Sequence, residues 1–216
     1  MDTFIFKELQ VLILYIETNF LMAIAKGRDL EAKQLLQNIP PSISIAIPAI
    51  CYVEAINTYR IDKKNQSEFQ AEMDKQINEA MRDKTSIHAK LLLVHLEKAY
   101  IENTRLLNDV QIRFSETINL LTQNAEIINF TSSIIKDISQ HAVVLKETLL
   151  IKNDLIDNLI LQCIVSHANQ HPHDQKVFIS GNTKDFGKKE VREVLNSAKI
   201  KYFSNTKNFL GWLDSQ

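Results

Sequence analysis

Five consecutive apolar or aromatic residues, Leu12 to Ile16, run straight into Glu17-Thr18-Asn19, and apolar residues at helical spacing follow at once. An apolar run this short reads as a strand buried on both faces, the habit of strands inside a parallel sheet. Such a strand delivers the residues after it to the carboxyl edge of the sheet, where α/β proteins place their sites. Glu17 is therefore expected at that edge, with Thr18 or Asn19 capping the next helix. Taken alone, Glu17 is equally a polar strand end that stops the apolar run. It gains weight only if further acids reach the same edge.

The next segments bring one. A helix is expected from Thr18 to Gln37, with Leu21, Ile24, Ala25, Leu35 and Leu36 on its apolar side, a weak spot at Gly27, and an end at Pro40-Pro41. Ser42 to Ile47 alternates as a strand does, and Pro48 opens a helix that carries Glu54 in its first two turns. A strand, a helix and a strand in this order form a right-handed crossover, so the two strands are parallel and Glu54 shares an edge with Glu17. From Tyr59 to Leu145 the chain turns polar and has no Gly or Pro. The spacing predicts long helices broken near Asp83 to Ser86 and near Gln123, forming an arm or hairpin. Glu126 to Phe130 reads either as a short strand or as helix.

In Lys152 to Gly187 a helix capped by Asn153 or Asp154 places Asp154 and Asp157, three residues apart, on one face of its first turn. Alone, that pair is helix capping. His167 to Asp174 reads as a solvated polar loop. Lys176 to Ser180 is a further buried strand, ending in Gly181-Asn182-Thr183-Lys184-Asp185-Phe186. A helix from Lys188 to Ser197, a strand from Ile200 to Phe203 and a helix from Thr206 to Leu213 complete an α/β pattern with a central parallel sheet. The scarcity of Gly and Pro, four of each, favours helices over an all-β fold. The net charge of -1 excludes a general polyanion binder, so nucleic acid would be met through a local basic patch or bound metal. Cys51 and Cys163 lie in apolar surroundings without metal-ligand spacing, as buried thiols do in a reducing compartment. With no signal-peptide pattern and no apolar stretch long enough to span a bilayer, the expected location is cytoplasmic, without membrane contact.

Glu17, Glu54, Asp157 and Asp185, with Asp154 as a fifth, thus come from separate segments to one edge. Acids gathered in this way repel one another unless a cation lies between them. Oxygen donors without Cys or His select a hard cation, Mg²⁺ or Mn²⁺, a setting for phosphodiester hydrolysis. A dinucleotide enzyme is excluded by the absence of a glycine fingerprint. Phosphotransfer through an Asp nucleophile on the first strand is disfavoured by Glu17.

The stretches LYIETNFL at 14–21, IPAICYVEA at 47–55, LIDNLIL at 155–161 and VFISGNTKDF at 177–186 resemble, in order and in edge placement, the motifs of the PIN domain, a group of metal-dependent ribonucleases. The resemblance implies a three-layer fold over residues 1–216 with a central parallel sheet and a helical insertion at 60–147. It implies an endoribonuclease with Glu17, Glu54, Asp157 and Asp185 as catalytic acids. These and Asp154 would hold Mg²⁺ or Mn²⁺, supported by Thr18, Asn19, Asn182 and Thr183. Lys184, Lys188 and Lys189 would flank bound RNA. The implied partners are RNA and, for a toxin-type member, an antitoxin protein, with a homodimer also compatible. The alternative is a non-catalytic PIN-like module that binds RNA or protein through its helical insertion. Two positions depart from the family pattern: Glu17 stands where Asp is usual, and Thr183 stands at the first acidic position of the last motif.

Overall fold

The computed structural model describes residues 11–140, 149–151 and 154–216. The N-terminal decapeptide, His141, the end of the long helical stretch and Asn153 lie outside the described residues. Strands β1 (Leu12–Ile16), β2 (Ile43–Pro48), β3 (Ala125–Ile128), β4 (Gln175–Ile179) and β5 (Ile200–Phe203) form one sheet in the order β3-β2-β1-β4-β5. Every pair is parallel. β1 sits at the centre, and all five of its side chains are buried. That position explains its unbroken apolar sequence, since a central parallel strand meets helices on both faces.

The helices are α1 (Thr18–Ala25), α2 (Leu30–Gln37), α3 (Ala49–Arg82), α4 (Ile87–Asn124), α5 (Ser132–Ser139), α6 (Leu155–Gln170), α7 (Lys189–Ser197) and α8 (Thr206–Leu213). Right-handed crossovers put α1, α2 and α4 on one face of the sheet and α5, α6 and α7 on the other, which gives three layers. From β1 the chain moves toward β2 and β3; from β4 it moves the opposite way, to β5. The adjacent strands β1 and β4 therefore flank the topological switch point, and a crevice opens at their carboxyl ends.

The single helix expected over Thr18 to Gln37 is instead two. Gly27 takes φ +67, and the turn is closed by Arg28 N–H to Ala23 O (2.7 Å) and Gly27 N–H to Ile24 O (2.9 Å). This is a Schellman end, which needs a left-handed residue and so favours glycine. The ambiguous segment after Gln123 is a strand: β3 pairs with β2 from Ile45↔Ala125 to Pro48↔Ile128.

α3 and α4 form the arm, and its break falls at 83–86, where Ser86 caps α4 by accepting from His88 N and Ala89 N. Along α4 the less exposed positions are Ala89, Leu93, Leu96, Tyr100, Asn103, Leu107, Val110 and Phe114. This alternation of three and four is the seam of a two-helix coiled coil. At its inner end Tyr59 stacks on Phe114 with ring centroids 4.8 Å apart, and Phe114, Thr117 and Leu121 are buried in the body of the protein.

His167 corrects the solvated-loop expectation. Helix α6 runs on to Gln170, and His167 is buried, with its Nδ1 2.9 Å from the Tyr15 hydroxyl and its Nε2 3.2 Å from Glu126 Oε1. Tyr15, Ala46 and Glu126 lie in register across three strands. The small Ala46 leaves the room over the sheet that the imidazole fills.

Candidate active site

Glu17 follows β1 in extended conformation and caps α1, with Oε2 accepting from Asn19 N–H at 2.6 Å. Glutamate is an unusual cap residue, yet its extra methylene still reaches the helix start. Its other oxygen accepts from the Ser180 hydroxyl at 2.9 Å, and Asn182 N–H in turn donates to Ser180 Oγ at 3.0 Å. Glu17 thus bridges the ends of β1 and β4 across the switch point, only 1% exposed. Thr18, also buried, donates its hydroxyl to Glu54 Oε2, tying the first turn of α1 to the second turn of α3. Asp154 caps α6 by accepting from Asp157 N–H at 2.9 Å, and Asp157, 6% exposed, accepts from Asn182 Nδ2 at 2.9 Å.

The acids sense one another. Burial pushes the Glu17 carboxyl up to about 8; its two hydrogen bonds oppose the rise, and the charges of Asp157 and Glu54 add to it. Burial, then Asp154, Glu54 and Asp185, push Asp157 up to about 7. Glu54 is raised by burial and by Asp154, against the Thr18 hydrogen bond. Asp185 differs: its hydrogen bond with Lys188, 2.8 Å away, holds its carboxyl below the usual range.

The expectation that these acids already form one ion-binding pocket is not met. Among the described residues no three of His, Cys, Asp and Glu stand close enough to hold a metal ion as their side chains lie. The reason is local, because each carboxylate is turned onto a hydrogen-bond donor of its own: Ser180 and Asn19, Thr18, Asn182, the α6 N-terminus, or Lys188. The chemistry of the donor set nevertheless fits a hard divalent cation. It is all oxygen, and repulsion among buried acids is what such an ion relieves. Among the described residues, Glu17, Glu54 and Asp157 have no salt-bridge partner.

The other expected residues divide. Asn182 reaches the acids, whereas Asn19 contributes its backbone N–H and is exposed. Thr183 lies on the far side of its loop, where it lines a cavity of about 360 Å³ with Arg192 and Tyr202. Lys184 and Lys189 are exposed, and Lys188 is occupied by Asp185. Ser180 was not anticipated; the sequence signal was a lone hydroxyl closing the apolar run of β4. Phe186 is a core residue, edge-on to Phe178 with centroids 5.1 Å apart.

The fold is thus α/β, with acids from separate segments along the carboxyl edge of its parallel sheet near the switch point. A family model described as PIN domain matches residues 14–186, and the chain belongs to that family. Comparison with curated proteins gives no match. A similar solved structure is VapBC2 from Rickettsia felis bound to a DNA fragment from its promoter, at 12% identity and a TM-score of 0.39, covering 88% of this chain and 98% of that one. No helix among the described residues is long and apolar enough to cross a membrane.

Proposed function

We propose that the protein is a Mg²⁺- or Mn²⁺-dependent endoribonuclease that hydrolyses RNA phosphodiesters at the crevice between β1 and β4. The observation that supports this reading is that buried acids far apart in sequence meet at the switch point, where the charges of Asp157 and Glu54 reach Glu17 and those of Glu54 and Asp185 reach Asp157. Glu17, Glu54 and Asp157 would hold the ion, with Asp154 and Asp185 at its margin. A bound divalent cation supplies the activation of water and neutralises charge on the phosphoryl group. The chain's own residues do the rest. Ser180 O–H and Asn19 N–H fix both oxygens of Glu17, and Thr18 O–H fixes Glu54. Asn182 orients Asp157 from the loop after β4. Burial keeps bulk water from Glu17 and Asp157, so the fixed dipoles beside them act more strongly than in water. Burial favours the protonated form of Glu17 in the metal-free protein, and a bound cation would favour the ionised form.

The test is cleavage of single-stranded RNA with Mn²⁺ and with EDTA, in the parent and in Glu54→Gln and Asp157→Asn. Loss of cleavage in EDTA and in both variants is expected; cleavage untouched by both substitutions discards the reading. A second reading, a non-catalytic module that binds RNA or protein, is favoured by the Asp185–Lys188 pair and by the unassembled ligand set. It predicts no thermal stabilisation by Mn²⁺ while RNA or partner binding persists. An antitoxin belongs to the toxin-type version of the first reading, and its binding would block the same crevice.

A further inference from the structure

A cavity of about 320 Å³ lies between α1 and the first turns of α3. Thr18, Glu54 and Gly181 line it where it meets the candidate active site, Thr58 lines it along α3, and Lys26 and Arg28 line it at the end of α1. From Thr18 to Lys26 is eight residues, or about 12 Å of helix. The cavity therefore joins a negative centre to a positive end.

The two cations are placed by the backbone. Lys26 is the C-cap of α1, and Arg28 follows the left-handed Gly27 in the Schellman end. A third cation, Arg113 from α4, donates Nε–H to Ala25 O at 2.9 Å and so satisfies a terminal carbonyl of α1. Two of the three are thus engaged, Arg113 with the backbone and Lys26 with Asp62 at 2.6 Å. Among the described residues Arg28 is exposed and has no acid partner. Helix-dipole stabilisation accounts for a cation close to the last carbonyls. It does not account for an unpaired guanidinium on the wall of a hydroxyl-lined groove leading from the acids.

We infer that this groove is a phosphate-binding subsite, in which the backbone of single-stranded RNA runs from the acidic centre along α1 to Arg28. The inference rests on the nuclease reading only for the position of the bond that is cut. A phosphodiester chain suits the groove because its charges are spaced along its length. Hydroxyl and amide groups can serve its sugars and phosphates in between, and the guanidinium takes a phosphate in bidentate fashion. This location differs from the lysines of the loop after β4, since Lys188 is already committed to Asp185.

The test is fluorescence anisotropy of a labelled single-stranded oligouridylate of about twelve nucleotides, in EDTA so that binding is read without cleavage. The chains compared are the parent, Arg28→Ala, Arg28→Glu and, as a control on the arm, Arg105→Glu, with melting temperatures recorded for each. Arg28→Glu is expected to raise Kd several-fold, and Arg28→Ala to flatten the plot of log K against log salt by about 0.7, the slope of one phosphate contact to a single strand. Arg105→Glu is expected to bind as the parent does. Parental Kd and salt slope in both Arg28 variants would overturn the inference, as would Arg28-dependent binding of a polyglutamate peptide with none of RNA. A parent that binds RNA through Arg28 but cuts nothing with Mn²⁺ sinks the nuclease reading and leaves the subsite standing. A parent that cuts RNA while both Arg28 variants bind normally does the reverse.

Discussion

Replacing Glu17 by Gln removes a buried charge and keeps the side chain's shape. The amide can accept from Asn19 N–H through its oxygen and donate to Ser180 Oγ through its nitrogen, so both present contacts have a counterpart. What disappears is a titration. The carboxyl has an ordinary value of 4.5, and in the fold it lies at about 8. Between those values the folded chain binds a proton that the unfolded chain has released. The stabilising contribution is fully present below about pH 4.5 and is lost as pH rises toward 8, at up to about 1.4 kcal/mol per pH unit. From pH 5 to 7.5 the parent should lose roughly 2–3 kcal/mol from this group. Asp157 acts in the same direction, and because its charge reaches Glu17 their effects do not add in full. Urea unfolding in EDTA at both pH values, followed by the fluorescence of Trp212, the single tryptophan, gives the two slopes. Glu17→Gln should show the shallower pH dependence and be the more stable chain at pH 7.5, and Mn²⁺ should restore stability at pH 7.5 to the parent more than to the variant. Parallel pH profiles in the two chains would refute the claim that Glu17 is held protonated by its surroundings.

Other perturbations isolate single contacts. Gly27→Ala should destabilise by about 1 kcal/mol through its left-handed φ alone, since an added Cβ would meet the Arg113 guanidinium at an ordinary 3.7 Å; urea midpoints measure this. Tyr15→Phe deletes the hydroxyl beside His167 Nδ1 and should cost about 1 kcal/mol in the same assay. Ser180→Ala leaves Glu17 with one hydrogen bond in place of two. Its carboxyl should titrate higher still, and the Mn²⁺-induced rise in melting temperature should shrink.

The parallel sheet could be read from the chain because its strands stand out as apolar or alternating runs between helices, and the crossover rule makes such strands parallel. β1 and β4 showed this through the apolar runs Leu12–Ile16 and Val177–Ile179, and β2 through the alternation of Ser42–Ile47. β3 was ambiguous for a physical reason. It is an edge strand with Glu126 and Ile127 exposed, so it lacks the two-faced burial that marks the others. The location of Glu17, Glu54, Asp154 and Asp157 at one edge was legible for the same topological reason. What each carboxylate holds was not, because Thr18 meets Glu54 across 36 residues and Ser180 meets Glu17 across 163. Such pairings are set by packing between elements rather than by spacing within one. The commitment of Asp185 to Lys188 was local, at three residues' distance. It was missed because a lysine near an acid reads equally well as a contact for RNA.

α3 has no break from Ala49 to Arg82, so Glu54 and the outer tip of the arm are two points on one rigid lever. The stacked rings of Tyr59 and Phe114 lie between them and serve as its fulcrum. Glu54 is five residues from that pivot, about 7.5 Å, and Arg82 is twenty-three, about 35 Å. A swing of about 5 Å at the tip is thereby geared down to about 1 Å at the acid, enough to part the Glu54 carboxylate from the Thr18 hydroxyl. Whatever grips the tip of the arm holds a fine adjustment of the distant carboxylate.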